Sequence, residues 1–467
     1  MSNPVDFSDY VKKLESLIDS PSAAVSTPES AIVSHPESIP ITQSSHPQKS
    51  STKLKLLIVS QHISQTSGSG KMSKWLIREL SKTDWLNIVH FATHKCGTAA
   101  SDRTYPPSVK VYDISEMDKK PDKPGQSLGL NELPNVIRKE KPHVILFYGD
   151  MINITRYTEC VRQANLDRTF RIWMFIDQNH MYLPPPAVDI INRESDTVFT
   201  YSQEWKTHMK AQGIIRNIGI IAPIFDQTTC RLIPKEVARQ SASLPADVTI
   251  FLSTHRNQPR KRLDITIMAF VELIVKYPAK NIFLLCVCDK GEQGGHSLFE
   301  IFSNELRRRT ASQEYFGNRL LITSSPTTYS YKDDDMNIFY NLADVGVNCS
   351  DGDGYNLCAF EQMGLGIPQI VSDIAGHRDF CTSSNSLIVK PSLQCYVPGV
   401  LSALGGEMQM VKSSDVTKAM EAYIMEDDLR KTHGTKARES VLKYTCEKSM
   451  ASIIKYLESQ YKDLNIE

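Results

Sequence analysis

The sequence predicts an α/β chain of two Rossmann-like domains, each an open parallel sheet with helices on both faces. Three observations carry this. From Lys53 onward, short and nearly continuous apolar runs alternate with segments of helical period. The rhythm breaks between Ala222 and Ala246, where three Pro fall without any strong period, and then restarts. A chain of 467 residues is also too long for a single compact core.

Residues 1–52 read as a tail. From Pro21 to Ser51 it is rich in Ser, Pro and Thr, a composition that predicts disorder, and DYVKKLESLID before it has the spacing of a short, marginal helix. The N-terminal domain, 53–225, contains the strands KLKLLIVSQ, NIVHFAT, VKVYDI, HVILFYG, RIWMFID and TVFTYS. Between them lie the helical segments KMSKWLIRELSK, LNELPNVIRKEK, RYTECVRQANL and QEWKTHMKAQG. The C-terminal domain, 246–430, opens on the strand VTIFLST and the helix RLDITIMAFVELIVKYP. It continues through strand NIFLLCVCD, helix SLFEIFSNELRRR, strand LLITSS, helix MNIFYNLA, strand DVGVNCS, helix LCAFEQMGLG and strand PQIVSDIA. From Asp415 the apolar residues return every three or four positions, so residues 431–467 are expected to be closing helices.

Composition narrows the function. Lys plus Arg and Asp plus Glu both number 53, which removes the electrostatic case for nucleic acid as a partner. No apolar run approaches the roughly eighteen residues of a membrane span, and MSNPVDFSDY lacks a basic region followed by an apolar core. A small amphipathic patch would still suffice for peripheral membrane contact. The ten Cys are scattered without metal-ligand spacing and read as reduced core thiols, which makes the cytoplasm the simplest compartment.

The most informative segment is ADVGVNCSDGDGYNLCAFEQMGLGIPQIVSDIAGHRDF, from Ala343 to Phe380. A buried strand ends at a Gly- and Asp-rich turn that feeds a helix beginning near Asn356 or Leu357. Backbone N–H groups at such a helix start attract phosphate. Gly352 and Gly354 permit close approach of ligand to main chain, while Asp353 on the turn and Glu361 one turn into the helix can accept from sugar or ribose hydroxyls.

This segment resembles the donor signature of retaining glycosyltransferases of the family 4 type, E-G-F-G-L-x-x-x-E-A-M-x-x-G-x-P. Here the frame reads D-G-Y-N-L-C-A-F-E-Q-M-G-L-G-I-P, with Asp353 and Glu361 as its two acids and Gly354, Leu357, Met363, Gly366 and Pro368 in register. Asp353 is one methylene shorter than the family's Glu. Asn356 stands at a family Gly, and Asn tolerates left-handed backbone better than most residues. Upstream, THRNQPRKRLDITIMAF is similar to the family's G-R-x-x-x-x-K-G-x-D-x-x-I-x-A-F turn, with Arg256 and Lys261 at the matching spacing and His255 and Arg262 at its two Gly positions. On its own, RKR also reads as a solvated basic helix start.

The resemblance implies the GT-B fold: two facing Rossmann-like domains, donor on the C-terminal side, acceptor on the N-terminal side, and a last helix crossing back to the N-terminal domain. It gives Glu361 the ribose hydroxyls, Asp353 the transferred sugar, and Arg256 and Lys261 the diphosphate. Arg256, Lys261, Asp353 and Glu361 then form the catalytic set, with Gly354, Tyr355, Asn356 and Leu357 lining the donor. The implied donor is a UDP- or GDP-sugar, the acceptor a glycan or lipid-linked hydroxyl, and no cofactor is needed.

Three further features are more open. In QTSGSGKMS, Gln65 and Met72 break a Walker A loop and Ser73 breaks a dinucleotide fingerprint. The resemblance lays Gly68 and Gly70 against the donor phosphates, while an ordinary flexible turn is the competing reading. The family often has a His near the bond being made; in RIWMFIDQNHMYLPPP the candidates are Asp177 and His180, and a structural histidine is the alternative. Asp351-Gly-Asp353 and the Asp333–Asp335 run echo acidic metal motifs. Such short matches arise by chance, so no metal is expected, and the second run reads as a solvated helix cap. A catalytically inactive relative that holds a nucleotide-sugar or glycan as a scaffold is the alternative to an enzyme. An epimerase or phosphorylase on the same fold is a further rival.

Overall fold

The computed structural model describes residues 53–95, 103–117, 128–242, 244–245, 247–288, 295–323, 331–397 and 405–464. The Ser/Pro-rich tail and the short helix expected before it lie outside these residues.

The apolar runs of the first half form one parallel sheet. Its strands are β1 (Leu54–Gln61), β2 (Leu86–Thr93), β3 (Lys110–Asp113), β4 (Val144–Gly149), β5 (Arg171–Ile176), β6 (Thr197–Thr200) and β7 (Asn217–Ile220), in the order β3-β2-β1-β4-β5-β6-β7. β1 pairs along its whole length with β2, from Leu54 opposite Leu86 to Gln61 opposite Thr93. Both faces of β1 are covered, so it reads as a continuous hydrophobic run rather than an alternating one. Three helix starts carry side-chain caps: Ser67, Asp150 and Ser202 accept from the N–H of Gly70, Asn153 and Trp205.

The second half repeats the plan. β8 (Thr249–Thr254), β9 (Ile282–Val287), β10 (Leu320–Thr323), β11 (Val345–Asn348), β12 (Gln369–Ser372) and β13 (Ser386–Val389) form a parallel sheet ordered β10-β9-β8-β11-β12-β13. An antiparallel hairpin that the sequence pattern did not announce follows, formed by β14 (Leu393–Val397) and β15 (Gly406–Met410).

The last segment divides in two. The helix Asp427–Val441 lies on the helix Leu357–Gly364 of the C-terminal domain, so closely at Gly434 that an added Cβ would sit 2.4 Å from Gly366 O. The helix Cys446–Leu464 makes the crossing. On the first sheet's side, its Tyr461 stacks on Trp85 at 5.2 Å, Tyr456 meets Trp173 and Phe199, and Ser452 Oγ accepts from Ile220 N at 3.3 Å. A single buried cluster therefore runs through both domains, from Leu56 and Trp173 through Phe225 to Phe360 and Met363. Phe225 seats its ring on Gly364, where a Cβ would fall 2.1 Å from Cε2. Burying one such ring contributes about 2–3 kcal/mol. Every cysteine among the described residues is free, and burial pushes the Cys349 and Cys381 thiols up to about 12, which fits inert core positions.

Candidate active site

In each sheet the strand order reverses beside the first strand, between β1 and β4 and between β8 and β11. Crevices at such reversals, at the carboxyl ends of parallel strands, are where open α/β sheets bind ligands. The helix that follows β1 opens with Gly68 to Lys71, the segments after β8 and β11 carry His255 to Lys261 and Asp351 to Asn356, and the loop after β5 carries Asp177 to His180. All four meet at one place.

On the C-terminal side, Asp353 is buried between two cations. Lys261 Nζ donates to its Oδ2, and Arg260 Nη1 donates to its Oδ1 at 3.0 Å. Burial alone would raise the carboxyl, but the two cations outweigh it and hold Asp353 well below the usual carboxylate range. Arg262, at a family Gly position, has φ +53°, and its guanidinium forks onto Asp264 at 3.1 and 2.6 Å. A left-handed non-Gly residue costs about 1–2 kcal/mol. His255 is buried with Nδ1 lacking a hydrogen-bond partner. Burial, with Lys261 and Arg260 nearby, brings its pKa down to about 3, so the ring is neutral.

Glu361 is 1% exposed, and both its oxygens are engaged: Lys71 Nζ donates to Oε1 at 2.6 Å and Tyr340 OH to Oε2 at 2.9 Å. Lys71 belongs to the N-terminal domain, on the first turn of the helix Gly68–Leu80. Burial would lower its pKa, yet Glu361 and Asp333 outweigh it and raise it. Asp333 Oδ1 lies 3.9 Å from the same ammonium, and Arg103 grips Asp333 through two bonds of 2.9 and 2.6 Å. The acidic run at Asp333 is therefore only partly a solvated cap. Asp335 takes the N–H of Lys332, while Asp333 is buried in a clasp between the domains.

The N-terminal side closes directly on the Asp351–Asn356 turn. Trp205 Nε1 donates to Gly354 O at 2.6 Å, and Gly354 N donates to Asn179 Oδ1 at 3.3 Å. A Cβ on Gly354 would stand 2.4 Å from Asp177 Oδ1, and one on Gly352 would stand 2.4 Å from the His180 ring, so both glycines are required by close approach. His180 Nε2 faces Asp351 Oδ1 at 3.4 Å. Burial pushes the Asp177 carboxyl up to about 6 against the pull of Arg260.

The turn itself is built differently from expectation. Asn356 has φ −81°, so left-handed tolerance is not what suits it to this position. Its carbonyl oxygen caps the helix by accepting from Ala359 N at 3.1 Å, and its amide reaches Asn348 Oδ1 at 3.2 Å and His377 Nε2 at 3.1 Å. Leu357 touches the Gly68 position, 3.2 Å from a built Cβ, so the Gly-rich segment lies over the helix start. Gly70 has no room for a side chain, since a Cβ would lie 2.0 Å from Gln65 O. Tyr355 is packed among Tyr201, Phe360 and Phe380.

The structure thus brings together Asp353, Glu361, Lys261, His180, Gly68 and Gly354, and places the Arg256 side chain at an exposed position at the start of its turn. Sequence reasoning did not select Lys71, Arg260, Trp205 or Tyr340. Lys71 and Arg260 stood inside quoted motifs, but only the fold shows what they face. Among the described residues no three His, Cys, Asp or Glu converge as metal ligands. A cavity of about 660 Å³ lies away from the motif carboxylates, lined by Asp379, Lys436, Lys443 and Ser449.

No family model matches the chain. It is similar to D-inositol 3-phosphate glycosyltransferase 2 of Catenulispora acidiphila, at 25% identity over 159 residues, which is 34% of this chain. The match spans only 35% of that relative's own length. Among solved structures, sucrose-phosphate synthase from Thermosynechococcus elongatus superposes with a TM-score of 0.65 at 15% identity, covering 88% of this chain and 100% of that one. Anabaena HepE in complex with UDP-glucose gives 0.62 at 16% identity, covering 87% and 100%. The fold is α/β with two parallel-sheet Rossmann-like domains, matching GT-B glycosyltransferase structures.

Proposed function

We propose that this chain is a retaining glycosyltransferase of the family 4 type, moving a hexose from a UDP- or GDP-sugar to a hydroxyl of a glycan or lipid-linked acceptor without an essential metal. The observation that carries the reading is the convergence of Asp353, Glu361 and Lys261 with the Gly68–Gly70 segment at the two strand-order reversals. The similarity of fold to a protein solved with UDP-glucose supports it.

In this reading Glu361 holds the ribose hydroxyls and Asp353 a hydroxyl of the transferred sugar. Lys261, Arg256 and the start of the helix Leu357–Gly364 take up the charge that builds on the departing diphosphate. The acceptor hydroxyl enters between Asp177 and His180 on the N-terminal side. Contact between the domains excludes water that would hydrolyse the donor. No helix among the described residues is long and apolar enough to cross a membrane; a cytoplasmic enzyme with at most peripheral membrane contact is part of the proposal.

A second reading, an inactive scaffold that binds nucleotide-sugar or glycan, is favoured by one observation: both motif acids are already paired with the protein's own cations. Turnover separates the two. A panel of UDP-, GDP- and ADP-sugars, with and without EDTA and with a Glu361→Ala control, is expected to show nucleotide release from one donor that is insensitive to EDTA and lost in the variant. Nucleotide binding by calorimetry without release from any donor, acceptors included, would favour the scaffold.

A further inference from the structure

The hairpin β14–β15 is tied to the donor turn and ends beside the candidate site. Gln409 N donates to Asp351 O at 3.0 Å, and Gly406, at φ +142°, presses so close that a Cβ would lie 2.6 Å from His180 Cβ and 3.5 Å from Tyr182 Cβ. The hairpin thereby sets Tyr396, 70% exposed, against Tyr182, 36% exposed, with ring centroids 5.8 Å apart at 90°. Both rings stand in solvent, and each would be better buried than exposed. The helix Gln203–Ala211, whose Trp205 holds Gly354, carries His208 within electrostatic range of Glu407 on β15.

From this we infer that Tyr182 and Tyr396 form an aromatic platform for a saccharide chain on the acceptor, with the sugar residue next to the reacting one resting on the face of one ring and against the edge of the other. Sugar rings present apolar C–H faces that suit an exposed aromatic, and hydroxyls at their edges that suit a carboxylate such as Glu407 on the same hairpin. The platform adjoins His180 and Asp351, which fixes its ligand as part of what enters the acceptor side. The inference rests on the transferase reading for the identity of that ligand, but not for the binding itself.

The test uses the full chain and a panel of α- and β-linked gluco- and manno-tetraoses, with saturation-transfer NMR as the readout. At least one tetraose is expected to bind, and Tyr396→Ala and Tyr182→Ala should each weaken it at least five-fold, while UDP affinity by calorimetry stays within two-fold of the parent. Tyr396→Phe, which keeps the ring, should retain binding. Absence of binding by every tetraose, or binding unchanged in both Ala variants, overturns the platform. UDP binding measured in parallel, with Glu361→Gln as its control, shows independently whether the nucleotide reading fails.

Discussion

Replacing Lys71 with Met takes the ammonium off Glu361 and leaves one oxygen of a buried carboxylate without its donor; Tyr340 still serves the other at 2.9 Å. Breaking a buried ion pair by removing one partner costs about 3–5 kcal/mol, because the remaining charge stays desolvated. Lys71→Met should therefore lower the thermal midpoint by several degrees. It should also tighten UDP binding. The ribose is proposed to take the same carboxylate, and in the parent protein it must first displace Lys71. Asp333, 3.9 Å from the ammonium, offers a second seat and limits that cost to a fraction of the pair. A remainder of about 1.4 kcal/mol would appear as roughly a ten-fold change in Kd. Calorimetric titration with UDP and a thermal scan with and without it read both effects, and UDP should restore more of the midpoint in the variant than it adds in the parent. An unchanged midpoint together with equal or weaker UDP affinity would refute the placement of ribose on Glu361.

Other substitutions test separate parts of the site. Glu361→Gln keeps the volume but removes a charged acceptor, and should weaken nucleotide affinity about ten- to a hundred-fold, from about 1.5–3 kcal/mol for hydrogen bonds to a charged group. Asp177 has a folded pKa of about 6, above the ordinary value of about 3.9, so between those limits the folded form holds the extra proton and stability falls as pH rises through 6. Asp177→Asn should raise the midpoint at pH 7.5 and leave it nearly unchanged at pH 4, by at most about 2–3 kcal/mol given the carboxyl's partial solvent access. Gly354→Ala places a Cβ 2.4 Å from Asp177 and 2.9 Å from Gln178 O. It should cost at least ten-fold in donor turnover, whereas Gly317→Ala, with nothing nearer than 3.7 Å, should be close to neutral.

The architecture was legible because parallel strands buried on both faces leave continuous apolar runs, and six of the seven strands of the first sheet stood out that way. β7, NIGI, did not, since a central Gly and only four residues give no run. The helix Pro185–Glu194 hid behind its three prolines, although Pro in the first helical turn is compatible with a helix start. The hairpin β14–β15 was missed because its strands are only five residues long and Leu393, Gln394 and Tyr396 lie exposed, so no continuous buried apolar run marks β14. Within the site, one turn-to-helix motif marked Asp353 and Glu361, and a second motif marked Lys261. Nothing local could show that Arg260 shares Asp353 with Lys261; Asn356, at the expected helix start, is a favoured cap type, but the comparison with a family Gly drew attention to its backbone instead.

The partners that escaped the sequence share one physical reason. A carboxylate carried into a protein interior must be compensated by a cation or by hydrogen bonds, and the compensating group need not be near in the chain. Glu361 is compensated from 290 residues away, Asp353 from 92 and 93, and Asp333 from 230. The first and last of these cross from one domain to the other, so the same pairs that neutralise the acids also hold the domains together. Any hydroxyl-bearing ligand that takes over Glu361 thus weakens a contact across the cleft while supplying hydrogen bonds of its own. In the proposed reading, ribose binding at Glu361 is an exchange of partners with Lys71, which reaches that carboxylate from the other domain.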